Sequence, residues 1–551
     1  MNSFMFRLPS STANLLFAFV FGAIVALSIV RYHTSLLWAA TPTPLFPASS
    51  PASADTMANS TNIDLGWYPP SQTVINNLTN VVSNGTTGVY GFIYNSSYTP
   101  DDEYGTYNWC NMPHVRSLEY VKPSEEYELA YVEVIHRHHK RTPYAANSFP
   151  VESYPWDCSD EGLFYFARPF PGDPPDPNTD TSSDSSALAY WETFSGINPF
   201  EALASGWKGT CQFPQITSQG LGDAWQHGAD LYGVYHDLLG FLPAQDDGDA
   251  AWRQKVKYRV TNNVITSEVA GMVANAMWNT TAAVPLLVQP DGVDSLEPDY
   301  TCAASTALYG DVESASNPEW GAHLEAARGL YATLDDISGV DAADSGFHVS
   351  FDHYYDNLSA RQCHGKPLPC KLVNVTGADG TTTLVNDTGA CVTQALADEV
   401  YRLGNWEYSQ IYRDSGAESL AASVGSFGVW IAELASHLRG VVDGSGDTLW
   451  FHNVAHDGSV SRLLGILQVD VMVWPGMGSE VVFELWKGGG GSSACGYYVR
   501  VLFSGQVLTS SNPSLGVMDM VPVETLLAYF DGLAGINASL VVGKCDNSTS
   551  S

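Results

Sequence analysis

The sequence predicts an α/β fold: a mostly parallel sheet flanked by helices, with a large α-helical cap insertion. Three segments carry this prediction, since each reads as a strand that ends in a polar loop: residues 130–135, 255–260 and 448–454. A strand, a polar loop and a helix in succession are typical of a mostly parallel sheet with helices on both faces. In such sheets, functional sites gather at the carboxyl ends of the strands.

The segments between these strands are predicted to be helical. Apolar residues recur at helical spacing from Ile265 to Ala276, from Leu324 to Leu334, from Val392 to Leu403 and, most clearly, from Leu420 to Leu438. This periodicity indicates helices that bury one face. Residues at about 285–440 are therefore predicted to form the helical insertion. Two late strands, 480–486 and 497–503, are predicted on either side of the glycines at 488–491.

Composition excludes two classes of protein. The 551 residues carry 59 Asp and Glu against 24 Lys and Arg, for a net charge of −35. A surface this acidic does not attract the phosphate backbone, so nucleic-acid binding is not expected. Because 45% of the residues are hydrophobic and 12% are aromatic, the chain can bury a core and is not a disordered protein. The length suggests two domains, or one core with a large insertion.

The amino-terminal region predicts export from the cytosol. Residues 15–30 are uncharged and apolar, between Arg7 and Arg31. This run is near the short limit of about 17–25 residues for a membrane span and slightly long for a signal peptide. Residues 1–40 are therefore expected to be a signal peptide or a signal-anchor that attaches the chain to a membrane through residues 15–30. A buried core helix is the less favoured interpretation. The Pro-, Ser- and Thr-rich residues 41–65 read as a flexible stalk.

Glycosylation signals and cysteines agree with an oxidising, extracellular compartment. We expect a secreted protein, or an extracellular one with an amino-terminal anchor. The nine cysteines read as disulfides with one left over, in no zinc-like spacing. Sequons of the form Asn-x-Ser/Thr, which mark N-glycosylation acceptors, occur at Asn59, Asn77, Asn84, Asn95, Asn279, Asn357, Asn374, Asn386, Asn537 and Asn547.

Positive charge is concentrated in residues 136–141 (His-Arg-His-His-Lys-Arg), directly after the first predicted strand. Arg137 and Arg141 can converge on one tetrahedral dianion, because guanidinium forks match phosphate oxygens in pairs. A neutral His138 between them could attack phosphorus, and the neighbouring arginines would lower its pKa. A solvated basic turn, or a metal site formed by His136 and His138, would also fit this segment on its own.

The spacing Arg137-His138-x-x-Arg141-x-Pro143 resembles the signature of the histidine acid phosphatases, a branch of the histidine phosphatase superfamily with a phosphoglycerate-mutase-like fold. Further segments are similar to the family's motifs in the same order, and the resemblance covers about residues 125–535. These segments are 215–220 with 226–228 and Tyr235, 259–261 (Arg-Val-Thr), 455–457 (Ala-His-Asp) and the late strand pair. The resemblance makes residues 121–545 the catalytic domain, preceded by a stalk and glycosylated segment at 41–120.

The resemblance implies a role for each matched residue. His138 would be the nucleophile and would form a phosphohistidine. Arg137, Arg141 and Arg259 would bind the phosphoryl oxygens, and His456 would donate a hydrogen bond to them. Asp457 would protonate the departing alcohol, which favours activity at acid pH. The implied substrate is a small-molecule phosphate monoester, and neither a metal nor a cofactor is expected.

The sequence also departs from the family pattern. His139 stands where the family usually has Gly, so it must adopt an ordinary backbone conformation or the loop must change. Val260 replaces the usual Ser, and Ile265 lies near the place of a second Arg. These departures motivate an alternative function: a catalytically impaired, glycosylated surface protein that binds phosphate-bearing ligands.

The expected activity is that of an extracellular acid phosphatase. Within the same family, a phytase and a lysophosphatidate phosphatase both remain open. The loop after Pro143 carries Tyr144, Phe149, Tyr154 and Trp156 rather than a basic lining, which argues slightly against phytate unless these aromatics are core residues. A mutase is disfavoured by the predicted export.

Overall fold

The computed structural model describes residues 63–71, 75–82, 107–151, 156–158, 163–167, 187–190, 210–280, 283–488 and 496–546. The predicted signal or anchor segment, residues 15–30, lies outside these ranges. The described part belongs to one compact unit, Thr61–Ser551.

The largest sheet of the described chain has the strand order β11-β10-β9-β1-β8-β4-β5, with β12 paired to β10. Strands β1, β8, β4 and β5 are parallel, whereas β9 pairs antiparallel with β1 and β10 antiparallel with β9. The bounds of its strands are β1 Tyr127–Arg137, β4 Val256–Val260, β5 Leu286–Leu287, β8 Trp450–Ala455, β9 Glu480–Gly488, β10 Tyr497–Phe503, β11 Gln506–Val507 and β12 Val521–Pro522. The predicted α/β fold is confirmed, with the parallel strands in the centre and the late strand pair as an antiparallel extension.

Strand β1 lies inside the sheet and is buried on both faces. Val132 and Val134 pack into the core on one face, and Tyr131 and Ile135 pack into the core on the other. A strand that is buried on both faces needs a nearly continuous apolar run, which β1 has until it ends at Arg137. The polar residues that follow β1 therefore begin where the sheet ends.

The described helices flank this sheet and fill the insertion. Helices α2 and α4 cover the face with Val132 and Val134, and α10, α11 and α12 cover the opposite face. Their bounds are α1 Leu78–Val82, α2 Ser218–Tyr232, α3 Asp249–Arg253, α4 Val264–Trp278, α5 Ala303–Val312, α6 Pro318–Ser338, α7 Ser345–His348, α8 Asp352–Cys363, α9 Gln394–Ser409, α10 Ala417–Val442, α11 Asp457–Ile466, α12 Val523–Ala534 and α13 Val541–Asp546.

Helix α10 runs through the middle of the molecule. Among the described helices it alone is long and apolar enough to cross a membrane. Most of its apolar stretch is buried inside the protein, against β1, α11 and α12. Its composition is therefore explained by its place in the core of this domain.

The predicted helical insertion contains helices α5 to α10 and one hairpin that the sequence analysis does not predict. Strands β6 (Cys370–Thr376) and β7 (Thr382–Cys391) pair antiparallel and are exposed along most of their length. Because neither face of the hairpin packs into the core, its sequence lacks the apolar alternation that would reveal it. A second short pair, β2 (Leu163–Ala167) and β3 (Ala187–Tyr190), follows the basic segment.

The predicted boundary between a glycosylated segment at 41–120 and the domain at 121–545 is placed too late. Tyr107, Trp109 and Cys110 are buried in the core that also contains α8 and α9, and Cys110 is bonded to Cys363. Trp67 donates a hydrogen bond from its indole Nε1 to the Arg413 carbonyl, so residues near the end of the predicted stalk also contact the domain. The polar, loop-like composition of this region predicts an exposed segment, but its large aromatic residues pack into the core.

The predicted disulfides are confirmed. Eight of the nine cysteines pair, and the ninth, Cys495, lies outside the described residues. The bonds are Cys110–Cys363, Cys158–Cys211, Cys302–Cys545 and Cys370–Cys391. Two of them join residues more than 240 positions apart, with sequence separations of 253 and 243, and closing such long loops restricts the unfolded chain most strongly.

The sequons differ in exposure. One prediction needs correction: Asn357 is buried in α8, where its Nδ2 donates to the Asn147 carbonyl, so the folded chain has no room for a glycan there. Asn59, Asn84, Asn95 and Asn547 lie outside the described residues. The exposed acceptors are Asn77, Asn279, Asn374, Asn386 and Asn537.

The crossing of α2 and α4 supplies a test of this packing. A Cβ on Gly228 would lie 2.6 Å from the Val273 carbonyl oxygen, whereas a Cβ on Gly222 would meet nothing within 4 Å. We expect Gly228→Ala to lower the free energy of unfolding by about 1–3 kcal/mol through overpacking. The matched control Gly222→Ala should be neutral or stabilising, by up to about 1 kcal/mol. Denaturant unfolding of both variants measures the difference, and equal stability would contradict the crossing.

Candidate functional site

Two strand ends bring the predicted nucleophile and the predicted acid together. Strands β1 and β8 are parallel, with Arg137 opposite Ala455, and the His138 backbone N–H donates to the Ala455 carbonyl at 3.0 Å. The next residues, His138 and His456, leave the sheet side by side, with ring centroids 5.3 Å apart. Asp457 begins helix α11, directly after His456.

His138 is held in the form that a nucleophile needs. Its Nδ1 lies 2.9 Å from the His139 carbonyl oxygen. Since a carbonyl only accepts hydrogen bonds, Nδ1 carries the proton and Nε2 keeps a free lone pair. Burial, followed by the charges of Arg141 and Arg137, lowers the pKa of His138 well below its ordinary value. The imidazole therefore stays neutral in mild acid.

Arg137 is buried beneath the site and is fixed by three groups. It donates from Nη1 to the Pro475 carbonyl at 2.7 Å, its Nη2 lies 3.1 Å from Asp457 Oδ2, and its guanidinium lies over the Trp109 ring. Its buried Nε has no hydrogen-bond partner within the described structure. Native proteins rarely leave such a donor unused, so this one is suited to an anionic ligand.

Arg141 is held in a similar way on the other side of His138. Its Nη1 donates to Asp356 Oδ1 at 2.9 Å, and its guanidinium lies 4.0 Å from the centre of the Tyr144 ring. Its Nε is likewise buried without a partner among the residues described. The two arginines on either side of His138 in the sequence are therefore oriented by their own partners. Each still has an Nε–H group that can donate to a ligand.

Asp457 is surrounded by donors. Its Oδ2 accepts from the Trp474 indole Nε1 at 2.8 Å and from the Tyr408 hydroxyl at 3.3 Å, in addition to its ion pair with Arg137. Burial raises the pKa of Asp457, but Arg137, the Trp474 hydrogen bond and Arg141 together outweigh burial and lower it below the ordinary value. The unliganded carboxyl is therefore ionised in mild acid, and it gains proton affinity when an anion binds the arginines.

Arg259, for which the resemblance implies contact with the phosphoryl oxygens, has its guanidinium held by acceptors of the insertion. It lies on β4, and its side chain points toward α10. Its Nη1 donates to Glu433 Oε2 at 2.7 Å, and its Nη2 contacts Gln289, Asp294 and Ser295. Acceptors supplied by the insertion therefore occupy this guanidinium. Sequence reasoning placed Arg259 at the right strand end, but it could not find the carboxylates that hold it.

His456 has two neighbours that the sequence analysis does not identify. Its Nε2 lies 2.9 Å from the Thr261 hydroxyl and 2.9 Å from Glu297 Oε2. Thr261 belongs to the Arg-Val-Thr segment, and its position at a strand end could have identified it as a residue of the site. Glu297 lies in the loop before α5, and no motif singles it out. Its carboxylate brings negative charge to the nitrogen expected to bind a phosphoryl oxygen.

His139 fits without backbone strain. The backbone φ of His139 is not positive, so the expected ordinary conformation is confirmed. Gly478, with φ of +72°, provides the space: a Cβ there would lie 2.5 Å from His139 Cε1. Lys140 is withdrawn from the site by an ion pair with Asp223 at 3.1 Å.

The neighbouring segments settle two further expectations. Residues 215–220 lie beside the basic loop. The Thr142 N–H donates to the Gln215 carbonyl, and the backbones of Arg141 and Ile216 form an isolated antiparallel β-bridge. Phe149 and Trp156 are buried and therefore belong to the core, whereas Tyr144 contacts Arg141. Tyr154 lies outside the described residues.

The alternative metal pair of His136 and His138 is not formed. The ring of His138 faces His456, whereas the ring of His136 faces His452 and His227, with centroids 4.9 and 4.8 Å away. The two side chains belong to different clusters. The basic-turn interpretation also fails, since all the residues from His136 to Arg141 are buried.

Comparison with known proteins finds similarity only among solved structures. No protein-family model matches the sequence, and no curated protein matches it. The chain is similar to the apo form of Hafnia alvei phytase, at 12% identity over 77% of this chain and 99% of that one, with a TM-score of 0.45. It is also similar to a phytase from D. castellii, at 11% identity over 80% and 87%, with a TM-score of 0.42.

A third similar structure is the multiple inositol polyphosphate phosphatase of Bifidobacterium longum. The identity is 12% over 72% of this chain and 91% of that one, with a TM-score of 0.40. Similarity at this level does not establish an activity, which has to be inferred from the site.

The contact between Glu297 and His456 can be tested by ligand binding. Replacing Glu297 by Gln removes a negative charge beside the expected phosphoryl position. We expect inorganic phosphate to bind about tenfold more tightly to Glu297→Gln than to the wild type, because one repulsion is lost. Isothermal titration calorimetry at pH 5 measures the change. The exposed Glu418, on α10, supplies the control Glu418→Gln, which should bind phosphate like the wild type. Equal affinities in all three proteins would place Glu297 away from the anion.

Proposed function

We propose that this protein is an acid phosphatase that hydrolyses phosphate monoesters through a phosphohistidine. One observation carries the proposal: a buried, neutral His138 lies between two buried arginines and faces His456, and Asp457 is paired with one of those arginines. Phosphoryl transfer depends on positioning and charge neutralisation, and this arrangement supplies both.

The first step transfers the phosphoryl group to the enzyme. The Nε2 lone pair of His138 forms a bond to phosphorus while the bond from phosphorus to the ester oxygen breaks. Arg137 and Arg141 neutralise the charge on the phosphoryl oxygens, and His456 donates to one of them. Asp457 gives its proton to the departing alkoxide, which leaves as an alcohol.

The second step releases phosphate. Asp457, now ionised, accepts a proton from a water molecule as the water oxygen bonds to phosphorus. The phosphorus–nitrogen bond breaks, inorganic phosphate leaves and His138 regains its neutral form. Because Nδ1 keeps its proton throughout, the hydrogen bond to the His139 carbonyl holds the same ring orientation in both steps.

The charges around the site favour substrates with few negative charges. Asp356 pairs with Arg141, Glu297 lies against His456, and Arg259 is occupied by Glu433 and Asp294. A multiply phosphorylated ligand would meet these carboxylates beyond the phosphoryl position. A lightly charged monoester, including lysophosphatidate, therefore suits the site better than phytate does.

The principal alternative is a catalytically impaired surface protein that binds phosphate-bearing ligands. The carboxylate-paired Arg259 and the nearby Glu297 favour it, because both lower the positive charge available to a transition state. His139 no longer supports it, since His139 is accommodated without strain. The four disulfides support an extracellular location for either function. Membrane anchorage through residues 15–30 is part of the proposal and can be tested by amino-terminal sequencing of the mature protein.

Turnover should depend on His138. We expect His138→Ala to lower kcat for p-nitrophenyl phosphate at pH 5 by at least about 10³-fold, because no other group can take the phosphoryl group. The partly exposed His236 gives the control His236→Ala, which should retain the wild-type rate. Rapid quenching in alkali, which preserves the acid-labile phosphorus–nitrogen bond, should detect labelled phosphohistidine in the wild type and in His236→Ala but not in His138→Ala. If the wild type binds phosphate but shows no turnover on a broad panel of esters, the binding-only alternative holds.

The role of Asp457 predicts a dependence on the leaving group. We expect Asp457→Asn to slow hydrolysis of glycerol phosphate by about 10²–10⁴-fold and that of p-nitrophenyl phosphate much less, because an alkoxide needs the proton. The pKa of Asp457 is lowered and the second pKa of a phosphate monoester is about 6, so the reacting complex holds its proton only in acid. The wild-type kcat/KM for glycerol phosphate should therefore fall above pH about 6. Equal losses on both esters would exclude Asp457 as the acid.

A further inference from the structure

A group of buried histidines lies behind the nucleophile, on the face of the sheet covered by α2 and α4. His136, His139 and His227 offer ring nitrogens that all lie within 4.8 Å of one another. Each of the three side chains is fully buried, at 0% exposure. They come from the end of β1, from the loop after it and from α2, so the tertiary fold rather than local sequence assembles the group.

The outer nitrogens of two rings are already fixed. His136 Nδ1 lies 2.8 Å from the Arg137 carbonyl oxygen, and His227 Nε2 lies 2.8 Å from Glu480 Oε2. Because both oxygens accept, these nitrogens carry the protons. The lone pairs are then on His136 Nε2 and His227 Nδ1, the nitrogens directed toward the group. Metal-binding histidines are typically oriented by such a carbonyl or carboxylate on the remote nitrogen.

His139 completes the set. Its Nε2 lies 3.2 Å from His227 Nδ1, and its Nδ1 is buried without a hydrogen-bond partner among the described residues. The three rings are buried, and burial favours the neutral imidazole, which is the form that binds metals.

The charge of the surroundings favours a cation. The Glu480 carboxylate is fully buried and bonds the Val115 N–H and His227. A buried carboxylate without a nearby positive charge is costly. Two more histidines lie beside the group: His452, whose Nε2 lies 2.8 Å from His136 Nε2, and His114, which is paired with Asp230 at 2.8 Å. A divalent cation among the three rings would compensate Glu480.

We propose that His136, His139 and His227 bind a zinc ion in a structural site. Three neutral imidazoles with a carboxylate in the outer shell suit zinc, and they offer no oxygen ligands of the kind that magnesium or calcium prefer. At zinc–nitrogen distances of about 2.0–2.1 Å, tetrahedral ligand atoms lie about 3.3 Å apart. His139 and His227 already have this spacing. His136 would have to move closer and to exchange its contact with His452 Nε2, at 2.8 Å, for the metal.

The zinc site would stabilise the loop after β1 and would not contact the substrate. The carbonyl of His139 accepts the hydrogen bond that fixes the His138 ring, so a metal on the His139 side chain would hold that carbonyl in place. The His138 nitrogens are not part of the group. The inference is independent of the proposed hydrolysis, because it concerns metal content and stability.

Metal content and stability test the proposal on the full chain, expressed without an affinity tag. After removal of metal with a chelator, titration with zinc chloride should give one tight equivalent by calorimetry, and zinc should raise the Tm. His227→Gln and His139→Gly should lose both effects. His364→Gln, a histidine outside the group, should keep both. The Tm of each variant in chelator, compared with that of chelated wild type, reports whether the variant still folds.

Cobalt provides a second readout, since Co²⁺ in place of zinc should give visible absorption bands of a tetrahedral site in the wild type and in His364→Gln but not in His139→Gly or His227→Gln. The proposal is overturned if chelated wild type takes up no zinc and its Tm does not respond. It is also overturned if folded His139→Gly and His227→Gln bind zinc as the wild type does. In either case the three rings form only a hydrogen-bonded histidine cluster.

Discussion

The parallel pairing of β1 and β8 is the constraint on which the site depends. With Arg137 opposite Ala455, the residues that follow both strands leave the sheet at the same edge, so His138 and His456 become neighbours although 318 positions separate them. A shift of one residue would turn His138 toward a helix-covered face, because side chains alternate across a strand. The buried apolar residues of both strands fix this register, so the core determines the position of His138.

Much of this arrangement could be predicted from sequence, because strand ends carry both the folding signal and the chemistry. The apolar runs that end at Arg137 and Ala455 locate the edge of the sheet, and the polar residues after them supply Arg137, His138, Arg141, His456 and Asp457. The predicted bounds of β10 are those of the structure, and β1 and β8 differ only by a few residues at their ends. Apolar periodicity and motif spacing depend on residues that are close in sequence, so they can be read without knowing the tertiary structure.

The rest depends on contacts between distant segments. Arg259 is at the predicted strand end, and its guanidinium is paired with Glu433 and Asp294 from the insertion. Glu297, Asp356 and Trp474 reach the site from loops and helices without any motif. The exposed hairpin of β6 and β7 has no buried face, so periodicity could not reveal it. Contacts of this kind depend on charge pairing and packing between segments that are distant in sequence, and a single sequence does not show which segments meet.

The contact between His139 and Gly478 constrains how this protein can change over evolution. Gly478 has a positive φ and faces the His139 ring, so position 478 is not free to vary while position 139 is a histidine. A side chain at 478 becomes tolerable only after 139 has become small, and even then the backbone favours glycine. A lineage could therefore lose the histidine first and the glycine later, but not in the opposite order. Related sequences should show a large residue at 139 only together with glycine at 478.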